Sequence, residues 1–341
     1  MDAEGQIEEE TIAPERTRTP LEEAFFWTLG RARDLSFQTR LDEESLTSFL
    51  LSGVTVVTPL LINLLGSGSE VGHECRWGPF KKAATVNDPL SEAATGSDFV
   101  MVTAGSEGNV RLAIFQAKKG VARRGSGTWE LSVRRDPGKT ARPNRQLVML
   151  MGFGDFIFRA NAKPMLTSQV RPGFSMGLVK EMKRKLADES LDVLDVSKNL
   201  GWIHYLVYAA QDVKTVAVSK LSKQTIEAEF ACAESVAYPL DQDDQDFFSL
   251  MEAGISGEGQ GWLTLSNQAL LGLLPALVNL GEVYVVDGKG SRAWRPSAGV
   301  DQVVNHLEER LVNPSTPQQL ELWQTLLPKY DFKYNRRREM N

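Results

Sequence analysis

The chain of 341 residues is poor in the residue types that mark a disulfide scaffold or a zinc site. Its two cysteines, Cys75 and Cys232, lie far apart in sequence, which excludes a disulfide-rich secreted fold and predicts a reducing, cytoplasmic setting. Only three histidines are present, and the run His73-Glu74-Cys75 lacks the partner spacing of a zinc site. We therefore expect the histidines to have structural roles.

Long apolar runs are also lacking. The longest, over residues 49–65, is interrupted by polar side chains and by Pro59, at which we expect the helix to break. A transmembrane helix needs about 20 predominantly apolar residues, so no contact with a membrane is expected. Residues 1–20 carry six acidic and two basic side chains, unlike a signal or transit peptide, and we predict a disordered acidic arm.

An excess of positive charge is the third missing feature. The 38 basic and 44 acidic side chains give a formal net charge of -6, whereas proteins that bind nucleic acid usually carry a basic footprint. Residues 111–145 depart from this average, since they hold ten basic and two acidic side chains, with Trp129 available for base stacking. A run of charge is usually a solvated surface, but this one starts in an apolar strand that ends in polar residues, which favours a phosphate-gripping loop. The residues predicted to bind nucleic acid are Lys119, Arg123, Arg124, Arg134 and Arg135.

Two apolar segments joined by a polar connection form the most informative part of the sequence. Residues 98–103 (DFVMVT) and 111–118 (RLAIFQAK) predict two central strands, and the connection AGSEGN has the glycine and asparagine content of a hairpin loop. Asp98 begins the first strand, while Gln116 and Lys118 end the second, so a hairpin brings all three to one end of the sheet. Because side chains alternate along a strand, Gln116 and Lys118 point to the same face.

The residue types at this end of the sheet suit the chemistry of a divalent cation. A carboxylate and an amide offer the oxygen ligands that Mg²⁺ prefers, and a lysine ammonium orients an attacking water or offsets charge that develops on a phosphate. A helix upstream can supply a second acid. At about 100° per residue, Glu43 lies beside the apolar stripe of that helix and Glu44 lies nearly opposite, so the helical phase favours Glu43. Glu92 is a further candidate acid.

The order of these features resembles that of the PD-(D/E)xK nuclease superfamily. The features are a helix with an acid, G-S-D-F at 96–99, a hairpin, I-F-Q-A-K at 114–118, a helix that contains Gln146, and a buried strand at 202–210. The branch that the chain resembles most has Q-x-K as its third motif and is common among restriction endonuclease-like proteins and bacterial anti-phage effectors. The resemblance covers roughly residues 36–212. It implies an α/β fold with a restriction endonuclease-like αβββαβ core, in which helices flank a mixed central sheet.

The resemblance also implies a metal-dependent endonuclease that hydrolyses phosphodiester bonds, with DNA favoured over RNA and a role in antiviral defence. Its metal, Mg²⁺ or Mn²⁺, would be held by Glu43, Asp98 and Gln116, while Lys118 serves the attacking water. Ser97 stands in place of the proline that names the family, and Gln116 replaces an acid, which lowers the expected metal affinity. Gln146 matches a glutamine often found in this branch, and we expect its role to be structural. The residues assigned to catalysis are Glu43, Asp98, Gln116 and Lys118.

The predicted organisation has three parts. An acidic arm over residues 1–20 precedes a nuclease-like domain over residues 21–212, and residues 213–341 form a C-terminal α/β extension with a regulatory or interaction role. Within this last part, residues 265–280 predict an apolar helix. The expected partners are nucleic acid and either a second copy of the chain or a protein of a defence system. Two alternatives stay open: a nuclease-like fold that has lost its metal and binds nucleic acid or assembles partners, and an interaction protein in which the motif is coincidental.

Overall fold

The computed structural model of the protein describes most of its first two thirds and part of the remainder. The described residues are 18–38, 41–65, 75–80, 92–104, 109–123, 127–133, 146–160, 193–209, 212–231, 237–241, 244–266, 269, 283–287 and 290–294. Residues 1–17 of the predicted arm lie outside these ranges, as do Arg124, Arg134 and Arg135.

The described part of the chain contains both helices and strands. The helices are α1 (Pro20–Gln38), α2 (Glu43–Leu65), α3 (Glu92–Thr95), α4 (Gln146–Ala160), α5 (Val193–Lys198), α6 (Lys223–Ala231) and α7 (Phe247–Ile255), with a 3-10 turn at Val218–Lys220. The strands are β1 (Cys75–Pro79), β2 (Phe99–Ala104), β3 (Asn109–Lys119), β4 (Val121–Ala122), β5 (Trp129–Leu131), β6 (Ile203–Tyr208), β7 (Val213–Ala217), β8 (Tyr238–Pro239), β9 (Gln245–Asp246), β10 (Leu263–Ser266), β11 (Val283–Asp287) and β12 (Gly290–Trp294).

A mixed sheet forms the centre of the molecule. Its strand order is β12-β11-β1-β2-β3-β6-β7-β9, and β10 pairs with the first part of β3. All pairs are antiparallel except β3 with β6, which is parallel. A small second sheet has the order β4-β5-β8. The protein is therefore of the α/β class, with helices packed on a mixed central sheet, as the sequence predicts.

The alternation of side chains along β2 and β3 divides the core between the two faces of this sheet. On one face, Val100, Leu112 and Ile114 pack with the buried side of α4. On the other face, Phe99 and Phe115 stack at 4.8 Å between ring centroids and pack with α1, α2 and α7. Side chains two positions apart in a strand point to the same face, so Gln116 and Lys118 lie on the same face as Ile114. This is the face that α4 covers.

Local sequence signals explain how α1 and α2 begin. Thr19 and Glu22 form a capping box, in which the Thr19 amide donates to the Glu22 carboxylate at 2.8 Å and the Glu22 amide donates to the Thr19 hydroxyl at 3.2 Å. Asp42 caps α2 by accepting from the Ser45 amide at 2.9 Å. The expected break at Pro59 is wrong, because α2 continues to Leu65. A proline inside a helix costs about 3 kcal/mol, and burial of the apolar side chains of α2 against α1 offsets this cost.

The strands after residue 212 pair with those before it. β7 pairs with β6, β10 with β3, and β11 with β1, so the main sheet contains strands from both parts of the predicted division. The division itself stays a prediction. Residues 263–266 form strand β10 with alternating burial, and the predicted helix over 265–280 does not hold for its first two residues. Among the described helices, none has the length and apolar character to cross a membrane.

Candidate active site at the end of strand β3

The predicted hairpin brings Asp98 to Gln116 as the sequence suggests. The Asp98 amide donates to the Phe115 carbonyl at 2.9 Å, which fixes the backbone just before β2. Its side-chain Oδ2 accepts two hydrogen bonds of 2.6 Å, from the Gln116 side-chain Nε2 and from the Ala117 backbone amide. Asp98 is therefore held at the end of β3 by a side chain and by the backbone.

The environment of Asp98 disfavours its charged form. Burial is the main cause and raises the pKa of Asp98 from 3.8 to about 7, and the charge of Glu92 acts in the same direction. The Ala117 amide, the Lys118 ammonium and the Gln116 amide oppose this shift but do not cancel it. At neutral pH the carboxyl group is thus close to its point of half-protonation, and a cation beside it would favour the ionised form.

Lys118 is buried and bonds to the first residue of α4. Its Nζ donates to the Gln146 side-chain Oε1 at 2.6 Å. Gly96 determines how closely α4 approaches, because its φ is +73° and an added Cβ would lie 2.5 Å from the Gln146 carbonyl oxygen. The G-S-D-F segment therefore positions Asp98 directly and Lys118 through Gln146. Gln146, for which the sequence predicts a structural role, contacts Lys118 directly, and its role stays a prediction.

Gln116 presents an oxygen that lacks a partner. While its Nε2 donates to Asp98, its Oε1 is buried and has no hydrogen-bond partner among the described residues. A buried amide oxygen beside a carboxylate requires a donor or a cation to offset its desolvation. Asp98, Glu92 and the Gln116 Oε1 offer oxygens, the ligand type that Mg²⁺ prefers. No group of three or more His, Cys, Asp or Glu side chains suited to a metal occurs in the described part of the chain.

Glu92 and Glu43 are the two candidates for the second ligand of the predicted metal ion. Glu92 opens α3, which packs against α4, and its charge acts on Asp98. Glu43 opens α2 on the opposite face of the sheet and is partly buried, whereas Glu44 is exposed, as the helical phase predicts. Among the described contacts, none joins the Glu43 carboxylate to Asp98. The assignment of Glu43 stays a prediction, and the electrostatics supports Glu92 as the alternative.

The start of α2 nevertheless lies close to this end of the sheet. The Thr47 hydroxyl donates to the Glu43 carbonyl at 2.7 Å and lies 3.1 Å from the Tyr208 hydroxyl at the end of β6. Lys119, the residue after Lys118, donates from Nζ to the Leu41 carbonyl at 2.8 Å. These hydrogen bonds attach the start of α2 to the ends of β3 and β6.

Two of the five residues predicted to bind nucleic acid lie within the described structure. Lys119 is partly buried and holds the entry to α2, while Arg123 is exposed and lies 3.7 Å from the Glu130 carboxylate. The other three, Arg124, Arg134 and Arg135, are outside the described residues. Binding of nucleic acid by this group stays a prediction.

His204 and Cys75 are buried away from this chemistry. The His204 Nε2 lies 2.7 Å from the Gly261 carbonyl, and burial lowers the pKa of the imidazole to about 4, so the ring is neutral at neutral pH. Its ring stacks on Phe115 at 5.6 Å between centroids. These contacts are consistent with the structural role expected for this histidine. Cys75 is a buried cysteine in β1.

Comparisons with known proteins leave the function to be argued from the site. No family model, no curated protein and no solved structure matches the chain. The arrangement of Asp98, Gln116, Lys118 and Gln146 at the end of β3 is therefore the basis for assigning a function.

Proposed function

We propose that the protein is a Mg²⁺- or Mn²⁺-dependent nuclease with a restriction endonuclease-like core. One observation carries the proposal: a carboxyl group, an amide whose oxygen has no hydrogen-bond partner among the described residues, and a lysine ammonium lie together at the end of an otherwise apolar strand. Such groups are costly to bury and are seldom kept without a chemical use. DNA is favoured over RNA by resemblance alone.

The order of the elements supports the finer assignment of the fold. When the short elements α3, β4, β5 and α5 are left aside, the series α2-β1-β2-β3-α4-β6 follows the αβββαβ order, and the strands lie side by side as β1-β2-β3-β6. Asp98 precedes the second of these strands, and the Q-x-K residues end the third, where the motif order of the superfamily requires them.

The roles of the side chains follow from their contacts. Asp98, Gln116 and either Glu92 or Glu43 would hold the metal ion, which when bound would polarise the phosphate and lower the pKa of an attacking water. Lys118 donates hydrogen bonds from an ammonium that Gln146 fixes in place, so it can orient the water or stabilise charge on the phosphate oxygens.

The second candidate is a binding subunit without catalytic activity. The replacement of an acid by Gln116 and the raised pKa of Asp98 support it, because both reduce the negative charge available to a cation. In this alternative the fold would bind nucleic acid or assemble a complex without cleaving a bond.

Cleavage assays separate the two candidates. Supercoiled plasmid and single-stranded RNA are incubated with the full chain in Mg²⁺, Mn²⁺ or EDTA, and the products are resolved on gels. We expect cleavage that requires the metal and is abolished by Asp98→Ala and by Lys118→Ala. The matched controls are Asp195→Ala and Lys223→Ala, which remove exposed charges of the same kind elsewhere on the surface.

The outcomes distinguish the candidates clearly. Metal-dependent cleavage that survives both substitutions would show that the site is elsewhere. Binding of nucleic acid without cleavage under all conditions would favour the binding subunit.

A further inference from the structure

A second concave site lies between α1, the start of β7 and the start of α7. It is an open cavity of about 480 Å³, within the range of roughly 300–1,000 Å³ that is typical of small-molecule sites. Its wall contains the aromatic residues Phe26, Trp27 and Phe248. None of these residues takes part in the arrangement around Asp98.

Trp27 has a ring face that is accessible to a ligand. Its side chain is 56% exposed although its Nε1 donates to the Glu23 carboxylate at 3.0 Å, a bond that holds the indole in one orientation. The ring of Phe26 is already used, because the Arg18 guanidinium lies 4.2 Å from its centroid and Phe248 meets it edge-on. In the described part of the chain, no aromatic ring or cation is stacked on Trp27.

The polar lining of the cavity offers both donors and acceptors. Asp34 lies 3.7 Å from both Arg31 and Arg33, and Asp212 lies 3.3 Å from the Lys214 ammonium. The charges therefore nearly balance, which argues against a site for a free phosphate. A flat ring with hydrogen-bond donors and acceptors on its edge would match an indole face beside guanidinium and carboxylate groups.

The cavity lies at the same end of the sheet as the proposed active site. Lys118 is paired with Val207 on β6, and Val207 is paired with Lys214 on β7. At about 4.8 Å per strand, the backbones of Lys118 and Lys214 are roughly 10 Å apart. The cavity opens on the face of the sheet that α1 covers, whereas Lys118 lies on the face that α4 covers. A single polymeric ligand that reaches both must therefore pass over the end of the sheet.

We propose that this cavity binds a nucleobase, stacked on Trp27 and held at its edge by the charged groups of α1 and β7. The inference rests on the proposed function when the base belongs to a nucleic-acid strand, since an unpaired base beside the cleavage site then makes single-stranded or locally opened nucleic acid the substrate. A free nucleotide presents the same chemistry, and the experiment distinguishes the two sources.

The test measures binding to the full chain that carries Asp98→Asn, so that no ligand is cleaved. Fluorescence anisotropy is used with labelled oligothymidylate and with a labelled duplex, and isothermal titration calorimetry is used with thymidine and adenosine monophosphates. Trp27→Ala is the test variant and Trp27→Phe retains an aromatic face. Phe49→Ala removes an exposed aromatic ring from α2 and serves as the matched control.

We expect single strands to bind more tightly than the duplex. The Trp27→Ala variant should bind the single strand about tenfold more weakly, the Trp27→Phe variant should recover most of this loss, and the control should bind as the parent does. Mononucleotides that bind as tightly as the strand, with the same dependence on Trp27, would support the inference and identify a free nucleotide as the ligand.

Binding of strand and mononucleotide that is unaffected by Trp27→Ala would overturn the inference. Failure of the proposed function looks different, because cleavage would be absent while binding that depends on Trp27 persisted.

Discussion

Strand β3 buries polar side chains at both of its ends, and the two ends satisfy them differently. At the first end, the Arg111 guanidinium donates to the carbonyls of Ala253 and Gly254 at 3.3 and 3.0 Å, where α7 ends. At the other end, Asp98 has a raised pKa and the Gln116 Oε1 has no partner among the described residues. A buried cation at the carbonyl end of a helix is a stable structural element. Polar groups that stay incompletely satisfied at this end are part of the basis for the proposed metal site.

Asp98→Asn gives the largest expected effect. The substitution keeps the size and the hydrogen-bond acceptor but removes the charge that would hold the metal, so cleavage should fall by about a thousandfold. Rates of plasmid cleavage at saturating Mg²⁺ measure this loss. The same exchange at the exposed Asp195 is the control, and a loss below about tenfold would remove Asp98 from the metal site.

Arg111→Met tests the structural end of β3. The variant removes the Arg111 hydrogen bonds, while the Ala253 and Gly254 carbonyls still accept from the Gly259 amide and the Thr103 hydroxyl, so the free energy of unfolding should fall by about 1–3 kcal/mol. Urea denaturation provides the measurement, and cleavage per folded molecule should be unchanged. Arg33→Met, at an exposed position of α1, should cost less than about 1 kcal/mol. A loss of cleavage without a loss of stability would contradict the contrast between the two ends.

Gly96→Ala affects both stability and catalysis. The added Cβ would lie 2.5 Å from the Gln146 carbonyl at a positive φ, so α4 must shift and move Gln146 away from Lys118. We expect a loss of about 2 kcal/mol in stability and slower cleavage. Gly127→Ala is a control for the backbone strain alone, because Gly127 also has a positive φ but no atom lies within 4 Å of its added Cβ. Equal losses in the two variants would argue against the contact with α4.

The pH dependence of stability gives the smallest effect. Because the pKa of Asp98 rises from 3.8 to about 7 on folding, the folded state binds its proton more tightly, and this group lowers stability as the pH rises from about 4 to about 7. At pH 8, Asp98→Asn should therefore be more stable than the parent, and at pH 4 most of this difference should be lost. Thermal unfolding across this range tests the sign. Mg²⁺ should stabilise the parent at pH 8 but not the variant.

The sequence predicts the hairpin well because its signals are local. Alternation within 98–118 places Gln116 and Lys118 on one face, and β2 and β3 pair in the antiparallel register of a hairpin. The positions of the acids depend on tertiary packing instead. Helical phase correctly separates Glu43 from Glu44, yet it does not indicate on which face of the sheet α2 lies. Helical phase also gives no indication that the charge of Glu92 acts on Asp98.

Gln146 and Pro59 also show that local sequence signals do not determine tertiary packing. The contact of Gln146 with Lys118 depends on the approach of α4 to Gly96, between residues that are 50 positions apart in the chain. Pro59 is a strong local signal for a helix end, but packing of α2 on α1 overrides it. The cavity beside Trp27 combines residues of α1, β7 and α7, and no pattern within one segment indicates it.

The pairing of β10 with β3 has a consequence for any fragment of the chain. β6 covers one edge of β3 only from Ile114 onward, and β10 covers the same edge from Asn109 to Leu112. A chain cut after residue 212 would expose this buried, apolar edge and also the edge of β6 that β7 covers. Unprotected edges of this kind recruit strands from other molecules, so such a fragment would aggregate even though it retains every residue of the site at the end of β3.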